Sequence, residues 1–374
     1  MNRLRNRKFS KPNAKWLHQV SKDSSITSFE YSSFKNIEEI GRGGIGIVYT
    51  ANHKEKTVVL KSLFYSETIK ELVNELHVID SDPNVIRFYG ITTDPKTDNL
   101  IAVLLFADGG NLQQHLQNKW LNGTFKISLD EVINIARQVT LGLKCLHTNN
   151  IIHRDLHPRN ILVNGDKFLI TDFGLSRKLN NSMAIPASAS NGTPAYIDPQ
   201  YHINPKKMPD ESSDIYSLGV IFWELTSGTS SFGNAENRYI ICIQILQGYR
   251  EEVIPNTPSD YAELYKCCWD SDPQKRPSLD EILEVLDEIS SKTTPEFITN
   301  SNRKPKPFLA KDNSHDLLVG PSAKIIEEPN SKCAKVSCTK SLFGSQSRSF
   351  QKSVESSELK AQGIVYCVAK YYDG

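Results

Sequence analysis

The chain has 374 residues, 39% of them hydrophobic and 23% charged, with a formal net charge of +1. That near-neutral balance excludes a whole-chain electrostatic case for a nucleic-acid or membrane partner, and no run approaches the ~18 apolar residues of a membrane span. Seven cysteines without a C-x-x-C spacing point to reduced thiols in a cytoplasmic or nuclear protein rather than to a disulfide framework or a zinc site.

Residues 1–33 are polar, and Arg3, Arg5, Arg7, Lys8, Lys11, Lys15 and Lys22 precede the first acid, Asp23. No apolar stretch of a secretory signal follows them, so the segment reads as a basic, disordered tail. Residues 37–40, 47–50 and 57–60 then read as short strands separated by turn signals. Ile69, Leu72, Leu76 and Ile79 recur at three and four residues, a helical stripe. Ser128 and Glu131 have the spacing of a capping box, ahead of a second stripe at Val132, Ile135, Val139, Leu143 and Leu146. Residues 161–163 and 168–171 read as two strands joined by the turn Asn164-Gly165-Asp166. From Asp214 onward helical patterns dominate. Strands first and helices later predict an α+β protein of two unequal lobes, over 34–106 and 107–290. Residues 291–374 turn to Pro, Ser, Lys and Asn and read as mostly disordered linker and tail. Within them, 359–374 is similar to one helix of a Sel1-like repeat.

Four motifs carry chemistry. Gly41-Arg42-Gly43-Gly44-Ile45-Gly46-Ile47-Val48 lies between two strands, and glycines let a backbone approach phosphates closely. A dinucleotide-binding turn would lead into a helix, and a P-loop would continue Gly-Lys-Ser/Thr; neither holds here. Lys61 closes the third strand, within reach of phosphates beneath that loop, and needs an acidic partner. Glu75 on the following helix is the first candidate and Glu71, one turn earlier, the second. In His153-Arg154-Asp155-Leu156-His157-Pro158-Arg159-Asn160, Asp155 can accept or orient a hydroxyl proton and Asn160 offers an amide oxygen to a hard cation. Asp172-Phe173-Gly174 offers a carboxylate to the same cation. Asn160 and Asp172 flank the two-stranded hairpin, so they are expected at the same end of its ladder. Neutralising phosphate charge while positioning a hydroxyl is most of what phosphoryl transfer asks of a protein.

In this order and spacing the motifs resemble those of eukaryotic protein kinases, over roughly residues 34–290. The resemblance implies a bilobal fold, a small mainly β lobe on a larger mainly α lobe, and an ATP-dependent kinase of protein substrates using Mg²⁺, with Mn²⁺ as the alternative ion. It implies Leu104 as gatekeeper, backbone groups of Leu105 and Ala107 on the adenine, and Val48, Val59 and Leu162 around it. Phosphates would lie against Gly41, Arg42, Gly43, Gly44 and Gly46. Asp214 resembles the buried aspartate that props the catalytic loop. Arg276 resembles the arginine that pairs with the end of the activation segment. The segment commonly ends Ala-Pro-Glu, and here reads Asp198-Pro199-Gln200, so an uncharged Gln200–Arg276 hydrogen bond and some loss of rigidity are expected.

His157 stands where Ser/Thr kinases carry lysine, and Arg159 resembles the tyrosine-kinase version. Gly192-Thr193 resembles the Ser/Thr substrate loop, whose threonine contacts the catalytic aspartate. The mixture is similar to the tyrosine kinase-like group in its fungal expansion, most of whose members modify Ser/Thr. Tyrosine or dual specificity and a pseudokinase scaffold are the alternatives. Arg154 implies an upstream activating kinase, with phosphorylation at Ser176, Ser182, Ser188, Ser190 or Thr193.

Overall fold

The computed structural model describes residues 26–42, 46–63, 73, 79, 82–173, 194–204, 208–233, 237–292 and 297–301. Two compact units divide the chain, Met1–Phe308 and Leu309–Gly374, and all described residues belong to the first.

The N-terminal part is an antiparallel sheet of β1 (Phe34–Arg42), β2 (Gly46–His53), β3 (Lys56–Leu63), β4 (Phe88–Thr93) and β5 (Leu100–Leu105), in the order β1-β2-β3-β5-β4. Its first three strands run longer than their apolar cores suggested, because β-pairing extends through polar ends such as Asn52 opposite Thr57. Phe34, Ala51, Val58, Leu60, Ile101 and Val103 fill one face of the sheet. Of the expected helix around 69–79, Val73 and Ile79 are described, and both are buried.

The C-terminal part is mainly helical: α1 (Leu112–Gln117), α2 (Leu129–Thr148), α3 (Pro199–Ile203), α4 (Glu211–Ser227), α5 (Arg238–Leu246), α6 (Ser259–Cys268) and α7 (Leu279–Lys292). Helix α4 is buried along its whole length from Asp214 to Ser227, as a helix at the centre of a lobe must be. Gly219 brings it against α6, where a Cβ would stand 2.7 Å from that of Cys268. Ser128 caps α2 through the Glu131 N–H. The reciprocal half of the box is absent, because the Glu131 carboxylate binds His115 and Lys119 instead.

Short strands β6 (Trp120–Leu121) and β7 (Thr124–Ser128) precede α2. Strands β8 (Ile161–Asn164) and β9 (Lys167–Ile170) form the expected hairpin, with Ile161 opposite Ile170 and a turn at Gly165, φ 60°.

Two boundaries differ from expectation. The disordered tail predicted over 1–33 fails in its last residues. The Ile91 N–H donates to Thr27 and the Phe29 N–H to Ile91, so this segment extends the β4 edge. Gly90 makes room for it, since a Cβ there would lie 2.0 Å from the Thr27 carbonyl oxygen. Likewise, the tail predicted from 291 contains the end of α7 and a further strand, β10 (Phe297–Asn300), antiparallel to β7. Ile298 is buried there and Asn300 Nδ2 donates to the Ser227 carbonyl. Residues 1–25 and 302–374, with the Sel1-like stretch, lie outside the described residues.

Candidate active site

The β8–β9 hairpin is the platform of the site. On one side Gly109 donates to the Val163 carbonyl and Val163 N–H to Gly110; on the other, Ile170 exchanges bonds with Asn84 and Ile86. Gln138 on α2 holds the turn, accepting from the Phe168 N–H and donating to the Asp166 carbonyl. A buried polar network satisfied in this way fixes one geometry.

Residues 153–160 lead into β8. Arg154 adopts the left-handed region, φ 67°, a conformation unfavourable for a side-chain-bearing residue. Asp214, buried on α4, accepts the N–H groups of both His153 and Arg154 at 2.8 Å and bonds His147 Nε2 at 2.9 Å. The turn is thereby held from below. His153 is fully buried; its Nε2 donates to the Thr171 carbonyl, and its Nδ1 accepts the Asp155 N–H. Asn160 Nδ2 donates to the Asp155 carbonyl, and the Asn160 carbonyl accepts Thr171 N–H. Asp155, Asn160 and Asp172 thus share one end of the hairpin, as the spacing of Asn160 and Asp172 predicts.

Asp172 also lies in the left-handed region, φ 63°, which turns its carboxylate outward. Lys61 Nζ bonds its Oδ1. The lysine side chain is 7% exposed and the carboxylate 43%. Desolvation opposes ionisation of Asp172, but Lys61 outweighs it and holds the carboxyl below its ordinary range. The acidic partner of Lys61 among the described residues is therefore Asp172. Glu75 and Glu71 lie outside them, as do Gly43, Gly44, Gly174 and Thr193. Phe173 is buried, with its ring 6.4 Å from that of His153.

Around this centre, Val48 is opposite both Gly41 and Lys61, and Val59 is opposite Leu104. Val59, Leu105 and Leu162 are half-buried and pack on the core that runs through both lobes. The Leu105 N–H is committed to the Arg87 carbonyl, so that N–H is not free to meet a ligand. Arg42, beside Gly41 and Gly46 at the strand ends, is paired with Glu39 at 2.6 Å. Gly41 has nothing within 4 Å of a built Cβ, so space alone does not require glycine there.

The donor set fits a hard cation. Asn160 Nδ2 is occupied, leaving its amide oxygen, and Lys61 takes one oxygen of Asp172, leaving the other; oxygen ligands of this kind suit Mg²⁺. The family model described as "Protein kinase domain" matches residues 34–286. The chain belongs to the protein kinase family. Among its relatives, a "probable serine/threonine-protein kinase" of Dictyostelium discoideum is 31% identical over 72% of this chain and 34% of its own length. "Mitogen-activated protein kinase kinase kinase 7" of Drosophila melanogaster is 30% identical over 70% of this chain and 38% of its own length. A "dual specificity protein kinase" of Dictyostelium discoideum is 32% identical over 68% and 51%. The match therefore spans about a third to a half of the length of these curated relatives.

One expectation for this kinase is overturned. Gln200 does not bond Arg276; its Nε2 donates to the Ser271 carbonyl at 2.8 Å. The carboxylate on Arg276 is that of Asp198, in a two-armed pair at 2.7 and 2.9 Å. The pair is buried, and the anticipated loss of charge at this point does not occur. Sequence reasoning missed Asp198, although Asp-Pro before a short helical run is itself a signal. Asp198 caps α3 through the Gln200 N–H with Pro199 in the first turn, and both residue types favour those positions. Upstream, the Tyr196 hydroxyl donates to buried Glu224 at 2.7 Å. The Tyr196 ring lies 5.9 Å from that of His157. His157 Nε2 stands 3.8 Å from Asp155 Oδ1, and burial pushes the imidazole down to about 4.

Proposed function

We propose that this kinase transfers the γ-phosphate of ATP to serine and threonine hydroxyls of protein substrates. The observation that carries the reading is the convergence at one hairpin end of Asp155, Asn160 and Asp172, with Lys61 on the opposing sheet. In the transfer, the bond from the γ-phosphorus to the bridging oxygen breaks and a bond to the substrate hydroxyl oxygen forms. ADP leaves, and the hydroxyl proton goes to Asp155. Lys61 orients the phosphates, and the Leu105 carbonyl and Ala107 N–H take the adenine. Asn160 and Asp172 would hold Mg²⁺, or Mn²⁺ in its place, which when bound supplies neutralisation of phosphate charge. Positioning and fixed electrostatics account for the rest.

Serine/threonine preference rests on the names of the relatives and on Gly192-Thr193. The tyrosine kinase-like group is supported by the same relatives. Dual specificity is the second reading, favoured by Arg159 and by the relative that carries that description. An upstream kinase acting on the segment between Asp172 and Gln200 is part of the proposal. Free thiols at Cys145, Cys242, Cys267 and Cys268 support a cytoplasmic or nuclear setting.

Asp155→Ala tests the reading. Purified chain with ATP and Mg²⁺ should phosphorylate a generic protein substrate, with mass spectrometry placing the phosphate on Ser or Thr. The variant should bind ATP with little change and lose transfer by roughly a thousandfold. Wild-type transfer rates in the variant would sink the assignment.

A further inference from the structure

Asp198 holds three residues with one carboxylate. Its Oδ1 accepts the Gln200 N–H and one arm of Arg276; its Oδ2 accepts the other arm and the Ser213 hydroxyl. Arg276 is equally committed. Beyond the two arms it donates to the carbonyls of Ser212 and Asp270, and its guanidinium lies over the Tyr216 ring at 5.2 Å. No polar group of the pair is left to water, the condition under which a buried ion pair holds a single geometry.

The anchor has a route to the catalytic loop. Asp198 is two residues from Tyr196. The Tyr196 carbonyl accepts from Ser217 and its hydroxyl donates to Glu224, both on α4. Its ring packs on His157, which faces the Asp155 carboxylate. His157 Nδ1 is buried with no hydrogen-bond partner, so packing rather than hydrogen bonding at that nitrogen holds the ring. Whatever fixes Tyr196 therefore fixes the wall beside Asp155.

We infer that Asp198 is a positioning residue of this kinase: it replaces the carboxylate that the family commonly carries at the position of Gln200 and, through Tyr196 and His157, sets the geometry of Asp155. This rests on the proposed phosphotransfer. The relocation is chemically complete, since the Gln200 side chain ends at the Ser271 carbonyl, next to the Asp270 carbonyl that Arg276 itself touches. That proximity makes a glutamate at 200 the replacement to test.

The experiment compares wild type, Asp198→Asn, Gln200→Ala, and Asp198→Asn combined with Gln200→Glu, by steady-state kinetics, thermal melting and amide exchange. Asp198→Asn should lower kcat by at least about tenfold while KM for ATP stays within about twofold, because displacement acts on Asp155 and not on the nucleotide cradle. Gln200→Ala should keep kcat within about twofold. The double variant should regain most of the lost kcat and melting temperature. Wild-type kcat in Asp198→Asn, or a double variant no better than the single one, overturns the inference. If Asp198→Asn alone does not fold, recovery of a folded, active double variant supports it and failure to recover refutes it. If wild type itself transfers no phosphate, the proposed activity fails instead. The anchor is then judged by amide exchange at Tyr196 and Ile197: fast in Asp198→Asn and slow in the other three supports it, and equal rates in all four refute it.

Discussion

Lys61 and Asp172 form an ion pair in which the lysine side chain is 7% exposed and the carboxylate 43%; Arg276 and Asp198 form one in which the side chains are 0% and 4% exposed. The first has one contact through a single carboxylate oxygen, at the mouth of the site. The second is two-armed, and every guanidinium nitrogen is hydrogen-bonded inside the lobe. In the first only the carboxylate side is open to water, and Lys61 engages one of its oxygens, so the other stays available to a ligand. Removing one partner of the second strands a buried charge, at a cost of about 3–5 kcal/mol. The same acid–base chemistry is used once as a working contact and once as a fixture, and burial makes the difference.

Three further changes test that contrast. Asp172→Asn should cut transfer by roughly a thousandfold yet lower the melting temperature less than Asp198→Asn does, since its carboxylate already faces water. Parallel kinetics and calorimetry would show the two variants in opposite order, and the same order would break the comparison.

Glu224 gives an intermediate effect. Burial pushes its carboxyl up to about 8, with the Ser231 N–H and Tyr196 hydroxyl working against the rise. The folded chain therefore holds an extra proton between the ordinary carboxyl range and about pH 8, and stability falls as pH rises across that window. Both donors bond Oε1, which glutamine also offers. Glu224→Gln should keep the fold and show a shallower drop in melting temperature from about pH 6 to about pH 9; parallel curves would contradict the assignment. The smallest effect belongs to the exposed pair Arg137–Asp287, 46% and 57% exposed. Arg137→Ala should change stability by no more than about 1 kcal/mol in chemical denaturation, and less at high salt.

The hairpin and the placement of Asn160 and Asp172 at one end of it were legible because a turn signal and alternating strands fix register over a dozen residues. His153, Asp155 and Asp214 were legible as motif members, but their bonds were not. Asp214 meets residue 153 across 61 positions, and Asp198 meets Arg276 across 78. Local pattern carries no information at such separations and offers Arg276 only the family position, Gln200. The same limit hid the contact of Ile298 opposite Ile127; four residues of strand in a polar region have no period to detect.

The segment around Thr27–Phe29 that extends the β4 edge and strand β10 both lie outside the 34–286 family match. A recombinant fragment cut at those limits would leave Ile91 without its Thr27 and Phe29 backbone partners and strip β7 of β10. Each cut creates an open sheet edge, the kind of surface on which chains stack into aggregates. For expression and crystallisation, a fragment of this catalytic unit should therefore include at least residues 27 to 300, whose backbone hydrogen bonds cover both sheet edges.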